Sequence, residues 1–183
     1  SPDDFGCEGD MNCTLYVEAV DVAGNVNGTI NITLEVDDLS PEVRDLEIND
    51  TDGIVKSSDE INFTVNVTDT HEIDYVRLNG TIMEKISAGS DSDVYSTTNS
   101  TSQFGCEGDM NCTLYVEAVD ILGNVNDTTS ITLEVDDASP EVGSVEIDDG
   151  DGIVKSSDEI EFTVNVSDTH NVSVYLNGTE MNQ

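Results

Sequence analysis

FGCEGDMNCTLYVEAVD fills residues 5–21 and returns, letter for letter, at 104–120, an offset of 99 residues. The same offset carries Pro41 to Pro140, His71 to His170, and DGIVKSSDEI from 52–61 to 151–160. A fixed period decides the architecture before any local reading. About 100 residues is the size of one two-sheet sandwich, and is too long for a solenoid turn of about 20–50 residues. The repeated unit is therefore read as a whole domain.

Apolar and polar residues alternate through the repeat, the signal of half-buried strands. Ile61, Phe63, Val65 and Val67 point one way, and Asn62, Thr64, Asn66 and Thr68 the other. Leu114, Val116 and Ala118 follow the same pattern, as do Ile131, Leu133 and Val135. No segment combines a helical period with capping residues, so the fold is expected to be all-β. Strands are predicted at 42–48, 54–56, 60–68, 73–79, 81–86, 94–98, 112–119 and 125–135. Asn79-Gly80 calls for a type I′ hairpin turn, whose central residues both take positive φ. With no Trp in the chain, the core must be built mainly from Val, Ile and Leu.

VDDLSPEV at 36–43 and VDDASPEV at 135–142 mark the joints. Pro41 and Pro140 hold the residue before them extended and donate no backbone hydrogen bond. The joint is thus short and stiff, and consecutive sandwiches are expected to stack end to end. The expected domains are residues 1–40, the C-terminal strands of one sandwich; 41–138, a complete one; and 139–183, the N-terminal strands of another. Neither partial piece closes a core by itself. Residues 139–183 are expected to complete residues 1–40 of a neighbouring copy, either a separate subunit donating strands or the next stretch of one repetitive polypeptide. An arbitrary cut through a domain is the alternative, and it leaves open edges. In the joined domain the Ser/Thr/Asp-rich insert at 82–103 has no counterpart.

Forty acidic residues face five basic ones, a formal charge of −35. That field excludes nucleic acid and anionic membrane surfaces as partners. It also opposes compaction, since two unit charges 4 Å apart repel by about 1 kcal/mol even in bulk water. Bound divalent cations or a salty medium must screen it, and a solvated, brine-adapted surface is compatible with either. No stretch approaches 18 consecutive apolar residues, so no transmembrane helix is expected. No secretion signal is visible; signal and anchor are expected to lie elsewhere or to have been removed.

Thirteen of the sixteen asparagines stand in Asn-X-Ser/Thr: Asn12, Asn27, Asn31, Asn49, Asn62, Asn66, Asn79, Asn99, Asn111, Asn126, Asn165, Asn171 and Asn177. Ser and Thr fill about a fifth of the chain, so chance would place about three. The spacing reads as N-linked glycosylation of an extracellular surface; a Thr/Asn-rich β-surface explains the Thr but not the spacing. Cys7 and Cys13, like Cys106 and Cys112, bracket the same CEGDMNC loop. This is wider than the Cys-x-x-Cys spacing of zinc or redox sites, and local disulfides fit an extracellular chain. Intermolecular bridges, free thiols or a metal are the alternatives.

Calcium takes about six to eight oxygens from carboxylates and turn carbonyls. Its candidates are the joint pairs Asp37, Asp38 and Asp136, Asp137; Asp50 and Asp52 in NDTDG; Asp149 and Asp151 in DDGDG; and Asp69 and Asp168. Asp149, Asp151, Gly152 and Asp158 stand at EF-hand-like offsets, but Ile147 fills the first ligand position, so the loop is not an EF-hand. In an end-to-end stack the acidic joint and this loop could meet at one interdomain ion; solvated turns are the alternative. His71 and His170, in equivalent TDTH turns, read as surface residues. There is no Gly-x-Ser-x-Gly, no phosphate loop and no convergent Ser/His/Asp spacing. The chain is not read as an enzyme.

AVDVAGNVN and AVDILGNVN, each leading into TLEVDDxSPEV, resemble the A-x-D-x-x-G-N turn and V-D-x-x-x-P joint of prokaryotic Ig-like tandem domains. With its acidity and dense sequons, the chain is most similar to archaeal surface proteins. That resemblance implies tandem Ig-like β-sandwiches with scaffolding or adhesive roles, often with calcium at the joints, and no catalytic residues. The expected function is a structural subunit of an extracellular filament, sheath or surface layer, assembled head to tail from copies of itself. An adhesin stalk presenting a ligand-binding domain located elsewhere is the alternative.

Overall fold

The computed structural model describes residues 1–89 and 92–182. A 3-10 turn at Pro2–Phe5 precedes β1 (Met11–Val20), β2 (Val26–Val36), β3 (Glu42–Ile48), β4 (Ile54–Val55), β5 (Ile61–Thr68), β6 (Ile73–Leu78), β7 (Thr81–Ile82), β8 (Glu84–Ala88) and β9 (Asp93–Asn99). A second 3-10 turn at Thr101–Phe104 leads into β10 (Met110–Asp120), β11 (Val125–Val135), β12 (Glu141–Ile147), β13 (Phe162–Ser167), β14 (Tyr175–Leu176) and β15 (Thr179–Glu180). The fold is all-β, as the alternation requires. The chain forms two compact units, Ser1–Val135 and Asp136–Gln183, divided inside VDDASPEV.

In the first unit, one sheet runs in the order β4-β11-β10-β6-β7 and another in the order β3-β5-β9-β8. Both feed a single core. Ile61, Phe63, Val65 and Val67 of β5 join Val76 and Leu78 of β6 and Leu114, Val116 and Ala118 of β10. Burying one such side chain contributes roughly 1.5–3 kcal/mol. A one-residue slip of β5 would carry Asn62, Thr64 and Asn66 into that core, so the pattern pins the register. Asn79 and Gly80 take φ of 46° and 87°, as the type I′ turn needs.

The strand expected at 81–86 is two strands. Met83 is buried and its N–H donates to the Val76 carbonyl at 2.9 Å. Before it, β7 pairs with β6; after it, β8 pairs with β9 in the other sheet. The chain thus changes sheets at a buried methionine, and the polar insert that follows becomes part of a ladder.

The hairpin β1–β2 forms a two-stranded sheet of its own. Its register copies that of β10–β11: Cys13 faces Leu34 and Leu15 faces Ile32, as Cys112 faces Leu133 and Leu114 faces Ile131. Both hairpins carry the same irregularity, between Val17 and Ala19 and between Val116 and Ala118. Cys7–Cys13 and Cys106–Cys112 are local disulfides with Cα separations of 5.7 and 5.8 Å.

In the second unit β12 pairs with β13 and β14 with β15. Ile153 and Val154, the counterparts of β4, are not in a strand. The reason lies in pairing: β4 holds only to β11, in a parallel ladder, and the second unit has no such strand among its described residues.

Candidate metal centre

Most of the acidic turn residues have local work. The Asp120 carboxylate is buried and accepts from the Leu122 and Asn124 amides at 2.8 and 2.9 Å and from Asn124 Nδ2 at 2.8 Å. Burial opposes its ionisation, but the Asn124 side chain and the turn amides outweigh it and hold the carboxyl below the usual range. Asp21 caps its own turn in the same way through Ala23 and Asn25. These carboxylates explain the Asp and Asn of A-x-D-x-x-G-N without any ion.

The calcium candidates separate into two groups. Asp50 accepts from the Asp52 and Gly53 amides, and Asp52 from Ile54. Asp149 accepts from Asp151 and Gly152, and Asp151 from Ile153. These are Asx turns, in which the side chain satisfies nearby backbone. The Gly152 and Asp151 amides hold the Asp149 carboxyl low. Asp38 reaches the CEGDMNC loop, accepting from the Gly9 amide at 2.7 Å, while the Asp137 neighbour Ala138 donates its amide to Asp136 at 3.1 Å.

Asp37 and Asp69 do come together, and so do Asp136 and Asp168, each pair around a histidine. The ligand atoms of Asp37, Asp69 and His71 lie within 4.8 Å of one another, as do those of Asp136, Asp168 and His170. His71 Nδ1 is 2.6 Å from Asp37 Oδ2 and its amide donates to Asp69 Oδ1 at 2.8 Å. In the second unit His170 Nδ1 is 2.7 Å from Asp136 Oδ2 and the His170 amide donates to Asp168 Oδ1 at 2.9 Å. The sequence-based reading of both histidines as plain surface residues misses this. The signal was available: the histidines share the 99-residue offset of the joint aspartates they meet.

Burial raises the Asp37 carboxyl, with Asp10 adding to the push, against the Leu39 amide and His71. His71 moves the opposite way from what burial alone would do: Asp37 and Glu35 lift it above its ordinary value. The two rise together because desolvation, more than the pair's attraction, governs the buried aspartate. The joint is otherwise fixed by neutral bonds. Asn124 Nδ2 donates to the Asp37 carbonyl at 3.2 Å and Asn126 Nδ2 to the Pro41 carbonyl at 2.8 Å.

The sequons also divide. Asn12, Asn27, Asn31, Asn49, Asn79, Asn111, Asn165, Asn171 and Asn177 are exposed, and Asn62, Asn66, Asn99 and Asn126 are half-buried. In those four the side-chain nitrogen, the atom that carries a glycan, already donates within the protein. Among the described residues no helix is long and apolar enough to cross a membrane. Compared with protein-family models and with curated proteins, the chain matches none.

Proposed function

We propose that the chain is a structural subunit of an extracellular, N-glycosylated assembly of immunoglobulin-like repeats, joined head to tail with copies of itself. Its strand orders support the fold reading: β3-β5-β9-β8 opposite β11-β10-β6 follows the ABED and GFC sheets of such sandwiches. The observation that carries the proposal is a pair of matching open faces. Val116 is 0% exposed, whereas Val17, its counterpart on the lone hairpin, is 60% exposed beside Ile30 and Ile32. Phe63 is 0% exposed, whereas Phe162 is 41% exposed and lines a cleft of about 680 Å³ with Val164, Val166, Val174 and Met181. In the intact domain the counterparts of those cleft residues share one buried core with Leu114, Val116 and Ala118. The occupant that fits the cleft is thus a β1–β2 hairpin of another copy, by strand complementation. Exposed apolar faces of this kind are association surfaces.

The segment that would distinguish a binding module, 82–103, is largely taken up by β8, β9 and the turn before β10, which favours the structural reading over the adhesin stalk. The nine exposed sequons are the proposed glycan sites, with the four internally bonded ones bare. Sedimentation of the chain across a concentration series tests the assembly. It should grow into a head-to-tail ladder; Val17→Asp and Phe162→Asp should each remain monomeric alone and form dimers, and nothing larger, when mixed. A chain that stays monomeric at high concentration overturns the proposal.

A further inference from the structure

We propose that Asp37, Asp69 and His71, and again Asp136, Asp168 and His170, are two divalent-metal sites whose imidazole selects an ion of the zinc class over calcium. Three features of the first site point to an ion. The Asp37 side chain is 1% exposed, and its Oδ2 has no well-aligned donor: its neighbour is the His71 ring, whose Nδ1 lies 2.6 Å away as an ion-pair contact. A carboxylate oxygen removed from water with so little support is costly, and a cation shared with the imidazole supplies what the backbone there does not. Asp69 is already oriented by the His71 amide. The other ring nitrogen of His71 faces a carboxylate, Glu35 Oε1, at 3.4 Å. This is the arrangement by which a carboxylate fixes the tautomer of a metal-bound imidazole and leaves the opposite nitrogen to the ion. Thr70 Oγ1, which shares Nδ1 at 3.2 Å, sits on an exposed side chain and can rotate away.

The same triad recurs in the second unit with Asp168 only 6% exposed on its side chain and oriented by the same backbone donor. Recurrence alone follows from the sequence repeat, and here Asp136 Oδ2 does bond His170 Nδ1, at 2.7 Å, so the second site is inferred from the first. Calcium prefers a shell of oxygens, whereas imidazole suits zinc and its neighbours among the first-row metals. Two carboxylates and one imidazole leave a fourth position open to water.

Zinc titrated into the full-length chain by calorimetry, in millimolar calcium to saturate the diffuse acidic surface, tests this. Two tight zinc sites per chain are expected, with a mixed nitrogen and oxygen shell by X-ray absorption. His71→Ala and His170→Ala should each remove one site, lowering its affinity at least about tenfold. Asp69→Asn, which keeps the side-chain size, should weaken the first site alone, so that a misfolded histidine variant does not decide the matter. Zinc bound no tighter than calcium, or bound unchanged by the double histidine variant, overturns the proposal.

Discussion

Residues 5–21 and 104–120 have one sequence and two environments. In the second copy Leu114, Val116 and Ala118 lie against β5 and β6 and are closed to solvent. In the first copy the same strand pairs with the same partner in the same register, closes the same disulfide and caps the same turn, yet its apolar face stays open. Strand, register and turn are therefore local properties of this sequence. Burial is not; it belongs to whatever sheet comes to lie opposite. Under the proposed assembly the hairpin is a prefabricated half of a core.

The comparison breaks most sharply at that face. Leu114→Ala should lower the unfolding free energy by about 2–5 kcal/mol, while Leu15→Ala in the monomer should cost under about 1 kcal/mol, measured by urea denaturation. Equal losses would mean the hairpin already has a partner. Next in size are the disulfides. Replacing Cys106 and Cys112 by Ser should remove roughly 2 kcal/mol by restoring freedom to the unfolded chain, whereas replacing Cys7 and Cys13 should leave the main transition in place and loosen the hairpin alone, seen by amide exchange. The smallest effect is electrostatic. Asp120 titrates lower in the folded than in the unfolded chain. Its contribution is therefore full above the unfolded value near about 3.9 and is lost as pH falls through the lower folded value. Asp120→Asn should flatten the acid limb of the stability curve below about pH 4; Asp21→Asn should leave the main transition's acid limb unchanged, because the turn it caps supports no core.

Much of this was legible in the letters. The alternation from Ile61 to Thr68 gave both the strand and its buried face, and Asn79-Gly80 gave its turn. The CEGDMNC loop gave its bridge. What escaped was set at longer range. The break at Met83 depends on a backbone bond to Val76 and on a second sheet for β8 to join, neither of which leaves a mark in residues 81–86. The aspartates of NDTDG and DDGDG read equally well as ligands or as amide caps, and the local backbone uses them as caps. His71 carries no such mark: each TDTH turn holds one histidine, and Asp37 and Glu35, which meet its ring, lie more than thirty residues back along the chain.

The short strand β4 has one partner, β11, and its counterpart Ile153–Val154 is irregular where that partner is missing. Under the proposed assembly these two residues become an internal gauge. The Ile153 amide already donates to Asp151 and serves as the constant reference, while the Val154 amide should exchange fast with the cleft vacant and slow once an incoming hairpin offers its outer edge, so occupancy of the joint can be read from one proton against its neighbour without labelling the glycans or imaging the polymer.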